Sequence, residues 1–147
     1  MACIYYNVGY KKQFFPRINM TSYAIKGPVK DGSLRLVNEI ERYHDDFNAG
    51  NVEIYHNGSW GSICNQRVDQ GDGLVICRQL GYPNVINITH TAWFGANGYI
   101  MTWLTNISCT GNESKVTDCP RQYGWESPSA CQESNQISVW CQGIVCL

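Results

Sequence analysis

The sequence predicts an α+β domain: a curved antiparallel β-sheet cradling one α-helix, disulfide-rich and with long C-terminal loops. Three observations carry that expectation. Residues 52–64 contain an alternating apolar and polar run, Val52–His56, joined by Asn57-Gly58 to a second strand-like run, and residues 69–80 show a helix start, an apolar side and a stop. Eight cysteines stand at positions 3, 64, 77, 109, 119, 131, 141 and 146 with no Cys-x-x-Cys pair among them. A chain of 147 residues is long enough for one hydrophobic core and short for two, so one domain with a tail is expected. The division falls at residues 1–33, an N-terminal segment or linker, and 34–147, the domain.

The N-terminal segment carries Tyr5, Tyr6, Tyr10, Phe14, Phe15 and Tyr23 among lysines, with Pro16 and Pro28 interrupting any regular element. It reads as a linker or the end of a preceding module whose aromatics pack partly onto the body. Leu34-Arg35-Leu36-Val37 alternates and reads as the first strand. After an acidic loop, Val52-Glu53-Ile54-Tyr55-His56 and Trp60-Gly61-Ser62-Ile63-Cys64 read as two strands. Asn57-Gly58 between them signals a hairpin, because both residues tolerate the positive φ of a tight turn. Asp69 can cap a helix, Asp72 follows three residues later, Leu74, Cys77 and Leu80 share a side, and Gly81 and Pro83 end the run. Cys77 on the buried side implies a disulfide from the helix to another core element. From Trp93 onward, short apolar runs broken by Gly, Asn, Ser and Pro read as more loop than regular structure, with a last strand at Ile137–Cys141.

The compartment follows from two independent features. An even cysteine count without zinc-type clusters, and with His44, His56 and His90 scattered, favours disulfides over metal binding. Asn-x-Ser/Thr occurs at Asn19, Asn57, Asn87, Asn106 and Asn112, against roughly one or two expected by chance. Both place the chain outside the cell, secreted or on the extracellular face of a membrane protein. Residues 1–10 lack the apolar stretch and cleavage site of a signal peptide, and no run is long enough to span a bilayer, so a fragment of a larger secreted or membrane protein is expected. Residues 1–33 hold five basic side chains against Asp31, a net of plus 4, which leaves minus 5 on residues 34–147 given the overall minus 1. The body thus has no general attraction to nucleic acid or an anionic membrane. Enzyme chemistry finds no support: there is no Gly-x-Ser-x-Gly elbow, no His-Glu-x-x-His and no phosphate-binding glycine loop.

Taken in order, Leu34–Val37, Val52-Glu53-Ile54-Tyr55-His56-Asn57-Gly58-Ser59-Trp60-Gly61-Ser62-Ile63-Cys64, Val75-Ile76-Cys77-Arg78-Gln79-Leu80-Gly81, Trp103-Leu104, Cys109-Thr110-Gly111-Asn112-Glu113-Ser114 and Cys119-Pro120 resemble the scavenger receptor cysteine-rich family. The resemblance covers residues 34–141 and is to the family's six-cysteine form. Asn48 and Tyr82 stand where the eight-cysteine form has its extra pair, so both halves of one bridge are missing together. It implies the bridges Cys64–Cys131, Cys77–Cys141 and Cys109–Cys119. Cys3 and Cys146 lie outside the pattern. They pair with each other or, as the rival, between molecules.

The resemblance also implies a place for calcium or magnesium: two aspartates after the cysteine matching Cys64 and a glutamate four residues after the one matching Cys131. Here those places read Asn65, Gln66 and Asn135, and another acidic pair of the family reads Thr105 and Asn106. Neutral amides lack the charge that makes a hard cation bind, so no cofactor and no cation site of the usual kind is expected. Glu133, Asp69 and Asp72 could form a shifted site, though the two aspartates are explained as helix-start residues. Anionic ligands are the family's other theme, and Arg67 and Arg121 are the first candidates among basic side chains that do not cluster in sequence. Of five tryptophans, Trp60, Trp103 and Trp140 read as core, while Trp93 and Trp125, in glycine-rich loops, are candidate ligand contacts or packed side chains.

The function expected is noncatalytic extracellular binding of a protein or polyanionic ligand, as in a scavenger-receptor-like or innate-recognition protein. The alternatives are an accessory domain of a larger secreted enzyme, since the resembled module is appended to lysyl-oxidase-like amine oxidases and some serine proteases, or an adhesive matrix module.

Overall fold

The computed structural model describes residues 3–6, 28–38, 48–95, 100–121, 124–125 and 135–146, with residues 3–6 and 144–146 described by their backbone. Along these residues run β1 (Cys3–Tyr6), β2 (Leu34–Val37), β3 (Ala49–His56), β4 (Ser59–Cys64), α1 (Gln70–Gln79), β5 (Val85–Thr89), β6 (Thr102–Thr105), a 3-10 turn at Val116–Asp118, β7 (Ser138–Cys141) and β8 (Gly143–Cys146). β1 pairs with β8 in a two-stranded ladder. The main sheet runs β5-β7-β3-β4-β6, with β2 also on β3.

The expected α+β class holds, with one refinement: the sheet is mixed, because β4 and β6 pair in parallel while its other ladders are antiparallel. A parallel neighbour cannot be joined by a tight turn, so the chain travels through α1 and β5 before β6 returns beside β4. β1, β5, β6 and β8 are strands beyond those expected from the sequence.

The hairpin forms where its turn signal lies. Asn57 and Gly58 take φ of 47° and 84°, the left-handed pair that matches the twist of flanking strands. Gly61 on β4 is needed for another reason: a Cβ there would come within 2.3 Å of Trp103 Cδ1 on β6. The indole lies close against β4 backbone and sends its Nε1–H to the Ser59 carbonyl at 3.2 Å.

At the helix start, Asp69 and Asp72 make a reciprocal capping box. The Asp69 carboxylate accepts the Asp72 N–H and the Asp72 carboxylate accepts the Asp69 N–H, each at 3.1 Å. The expected side of α1 faces the core, with Cys77 and Leu80 buried and Leu74 packed half-buried against it, and the buried surface is wider than expected, taking in Gly73, Val75 and Ile76. Helix and sheet enclose one core in which Val52, Ile54, Ile63, Val75, Ile76, Leu104, Val116, Ile137 and Val139 have no exposed surface. Each such side chain contributes about 1.5–3 kcal/mol of burial free energy.

Cys77 bonds Cys141, fastening α1 to β7, and Cys109 bonds Cys119, closing the loop that carries the 3-10 turn. Both are pairings that the resemblance implies. Cys64 is also disulfide-bonded, and its expected partner, Cys131, lies outside the described residues. In place of the absent fourth bridge, the Asn48 amide donates to the Cys141 carbonyl and Tyr82 packs on the core, where burial pushes its phenol up from its ordinary value.

Candidate functional site

The residues at the expected cation position are brought together, with neutral side chains where the resemblance implies carboxylates. Asn65 follows β4 and is 1% exposed. Its Nδ2 donates to the carbonyls of Ile107 (2.9 Å) and Arg67 (3.2 Å), and its Oδ1 accepts the Ile107 N–H at 3.1 Å. The carboxamide is therefore a clamp between two loops, with its donors and its oxygen all engaged.

Asn106, at φ 51°, sends its N–H to the Cys64 carbonyl at 2.9 Å and accepts the Gln66 N–H on its Oδ1 at 3.3 Å. Asn135 contributes its carbonyl to the Asn65 N–H at 3.3 Å. Gln66 is exposed, and Thr105 is 4% exposed with its hydroxyl unpartnered among the described residues. The donor set is neutral and its central member is sequestered, so these residues do not fit calcium or magnesium.

Of the shifted-site candidates, Asp69 and Asp72 are engaged at the helix start. Asp72 is buried, and its second oxygen accepts the Cys109 N–H at 2.8 Å. Burial pushes its carboxyl up, against the pull of the Cys109 and Asp69 amides. Asp69 caps the helix, and Glu133 lies outside the described residues. Among the described residues one group of possible ligand atoms converges, Cys109, Glu113 and Cys119, but both sulfurs are in a disulfide and offer no thiolate. Glu113 instead orders this loop. Its carboxylate takes the Thr110 hydroxyl at 2.6 Å and the amides of Thr110 (2.9 Å) and Gly111 (3.2 Å), which hold it down at about 2. The Arg78 guanidinium closes the same loop on the Gly111 and Glu113 carbonyls.

The candidate ligand contacts split into two groups. Arg67 is exposed beside Gln66, and its guanidinium has no partner among the described residues. Arg121 and Trp125 belong elsewhere, to a stacked ladder that the sequence does not announce. Asp31 Oδ2 lies 2.8 Å from His56 Nδ1. The imidazole stacks on Trp125 at 3.9 Å and 3°, and meets the edge of Trp103 at 4.9 Å. The Arg121 guanidinium stands 5.3 Å from the Trp125 ring centre, with its Nη1 buried and unpartnered among the described residues. Trp125 is thus a side chain packed against His56 of the hairpin. Trp93 is 53% exposed.

The other tryptophans also depart from the expectation that all three are core. Trp103 is buried, whereas Trp60 and Trp140 are half-buried. Trp60 carries the Arg35 guanidinium at 4.3 Å over its ring, and Arg35 pairs with the buried Glu53 at 2.6 Å. Trp140 meets Trp93 and Phe94. Of the sequons, Asn57, Asn87 and Asn112 are exposed, Asn106 is half-buried, and Asn19 lies outside the described residues.

Comparison with known proteins agrees with this fold. The family profile described as scavenger receptor cysteine-rich domain matches residues 43–142. Galectin-3-binding protein of Bos taurus is 38% identical over 113 residues, covering 77% of this chain and 19% of that protein. Macrophage scavenger receptor types I and II of Bos taurus is 40% identical over 93 residues, covering 63% and 20%. The chain therefore spans about a fifth of the length of either relative. Among solved structures, the third SRCR domain of murine neurotrypsin superposes with a TM-score of 0.59 at 34% identity, over 74% of this chain and 94% of that one. The dimeric form of the SRCR domain of mouse MARCO gives 0.55 at 31% identity, over 64% and 86%.

Proposed function

The chain belongs to the scavenger receptor cysteine-rich family, and from that premise we propose that it is a noncatalytic recognition module of a scavenger-receptor-like or innate-recognition protein that engages an extracellular protein or polyanion without a bound divalent cation. The observation that carries the cation-free half is Asn65, whose amide is spent on three backbone groups where the resemblance expects an aspartate. The disulfides and the family relationship support an extracellular setting. They also support binding rather than catalysis.

Arg67 is the basic side chain best placed for an anionic partner, since Arg35 and Arg78 are held by Glu53 and by loop carbonyls. The test is a binding screen of the secreted domain against sulfated polysaccharides, bacterial surfaces and extracellular proteins, run in calcium and in chelator. Binding that persists in chelator and weakens severalfold in Arg67→Ala is the expected result. Binding abolished by chelator overturns the reading.

A further inference from the structure

β5 is an edge strand of the main sheet, with β7 on one side, and Asn87 lies in its middle as the first residue of Asn87-Ile88-Thr89. On β7 its register partner is Trp140. Directly opposed residues of an antiparallel pair project from the same face with Cβ atoms roughly 4.5–5.5 Å apart. The flanking pairs Ile88 with Val139 and Val85 with Cys141 belong to the core, so Asn87 and Trp140 share the outer face. There Trp140 packs against buried Phe94 at 4.9 Å and against the edge of Trp93 at 6.0 Å. Trp93 is 53% exposed, an apolar surface with no covering element among the described residues.

We propose that Asn87 is an occupied N-glycosylation site and that the first sugar of its glycan lies over Trp140 and Trp93, covering this aromatic patch and the open edge of β5. The chemistry requires a carboxamide nitrogen that is free and a hydroxyl two residues on. Asn87 Oδ1 accepts the Ile88 N–H at 2.9 Å, and Nδ2, the atom to be substituted, has no partner among the described residues. In the transfer, Nδ2 attacks the anomeric carbon of an oligosaccharide activated as a lipid diphosphate. The nitrogen–carbon bond forms, the carbon–oxygen bond to phosphate breaks, and the proton leaves nitrogen as the lipid diphosphate departs. Once attached, an N-acetylglucosamine offers axial C–H groups to an indole face, an apolar contact of the kind aromatic rings make with one another. Its bulk on an edge strand also blocks pairing with a second strand.

The experiment uses protein secreted from a mammalian host. Peptide mass spectrometry reads occupancy at Asn87, and thermal unfolding is compared for wild type, Asn87→Gln, Thr89→Ala and the sequon-preserving Thr89→Ser. The expected result is an occupied Asn87 and a melting temperature about 3 °C lower in Asn87→Gln and Thr89→Ala but not in Thr89→Ser, the shift of one aromatic contact in a domain of this size. Trimming the wild-type glycan to a single sugar leaves the melting temperature unchanged. The loss disappears in a Trp140→Ala background, or in Trp93→Ala if the first variant is not secreted. An unmodified Asn87 peptide overturns the proposal, as does a glycan whose removal changes nothing or costs the same without the tryptophan.

Discussion

Asn65 is held in place by bonds that an aspartate could not make. A carboxylate would still accept the Ile107 N–H, but it would face the Ile107 and Arg67 carbonyls with no proton to give. Asn65→Asp is therefore expected to destabilise the domain by about 1–3 kcal/mol, the cost of unpaired buried polar groups, without creating a calcium site. Urea denaturation reads the first outcome and calorimetric calcium titration the second. Glu113 gives a signature in pH. Its carboxyl is held at about 2, below its ordinary value of 4.5, by the Thr110 hydroxyl and the nearby amides. A depressed acid stabilises the fold fully above its unfolded value, and that stabilisation is lost as pH falls through the folded one. Wild type is thus expected to exceed Glu113→Gln in denaturation midpoint at pH 7, with the gap closing between pH 4.5 and about 2. Asp72 runs the opposite way: burial raises its carboxyl, so its contribution is present below 3.8 and is lost as pH rises through the folded value.

Elements governed by local chemistry were legible in the sequence, and those governed by distant pairing were not. The β3–β4 hairpin follows from Asn57-Gly58, and α1 from the Asp69 and Asp72 box, because turn and cap preferences act over two to four residues. β6 is four residues whose extended state depends on a parallel partner, β4, some forty residues earlier, and nothing local to Thr102–Thr105 specifies it. β5, though rich in β-branched residues, sits between a helix stop and a loop and owes its strand state to β7. At the candidate site, the missing carboxylates could be read residue by residue, but not the inward turn of Asn65, which depends on a loop 42 residues away. The His56–Trp125 stack was hidden for the same reason. Gly61 tests the β4–β6 contact. Gly61→Ala would set a methyl against the Trp103 indole and the Met101 carbonyl, and an overpacking loss of about 1–3 kcal/mol in urea unfolding is expected.

At the scale of the whole molecule, the bridges and ladders tie together segments that lie far apart in sequence. Cys77–Cys141 spans 64 residues, and its removal as a paired Ala variant is expected to cost about 2–5 kcal/mol. Cys3 and Cys146 stand opposite one another in the β1–β8 register. Opposed residues of an antiparallel ladder have Cα atoms about 4.5–5.5 Å apart, within the range a disulfide closes. Peptide mapping of unreduced protein is expected to recover a Cys3–Cys146 cross-link, and a ladder of dimers on a non-reducing gel would overturn it. The antiparallel β1–β8 pair also has a mechanical meaning. Tension entering through β1 and leaving through β8 pulls both strands from the same end, so the rungs from Cys3–Cys146 to Tyr6–Gly143 open in succession, like a zipper, instead of shearing together. With Cys3 bonded to Cys146, that tension would pass across a single covalent link, and the main sheet would carry none of the load.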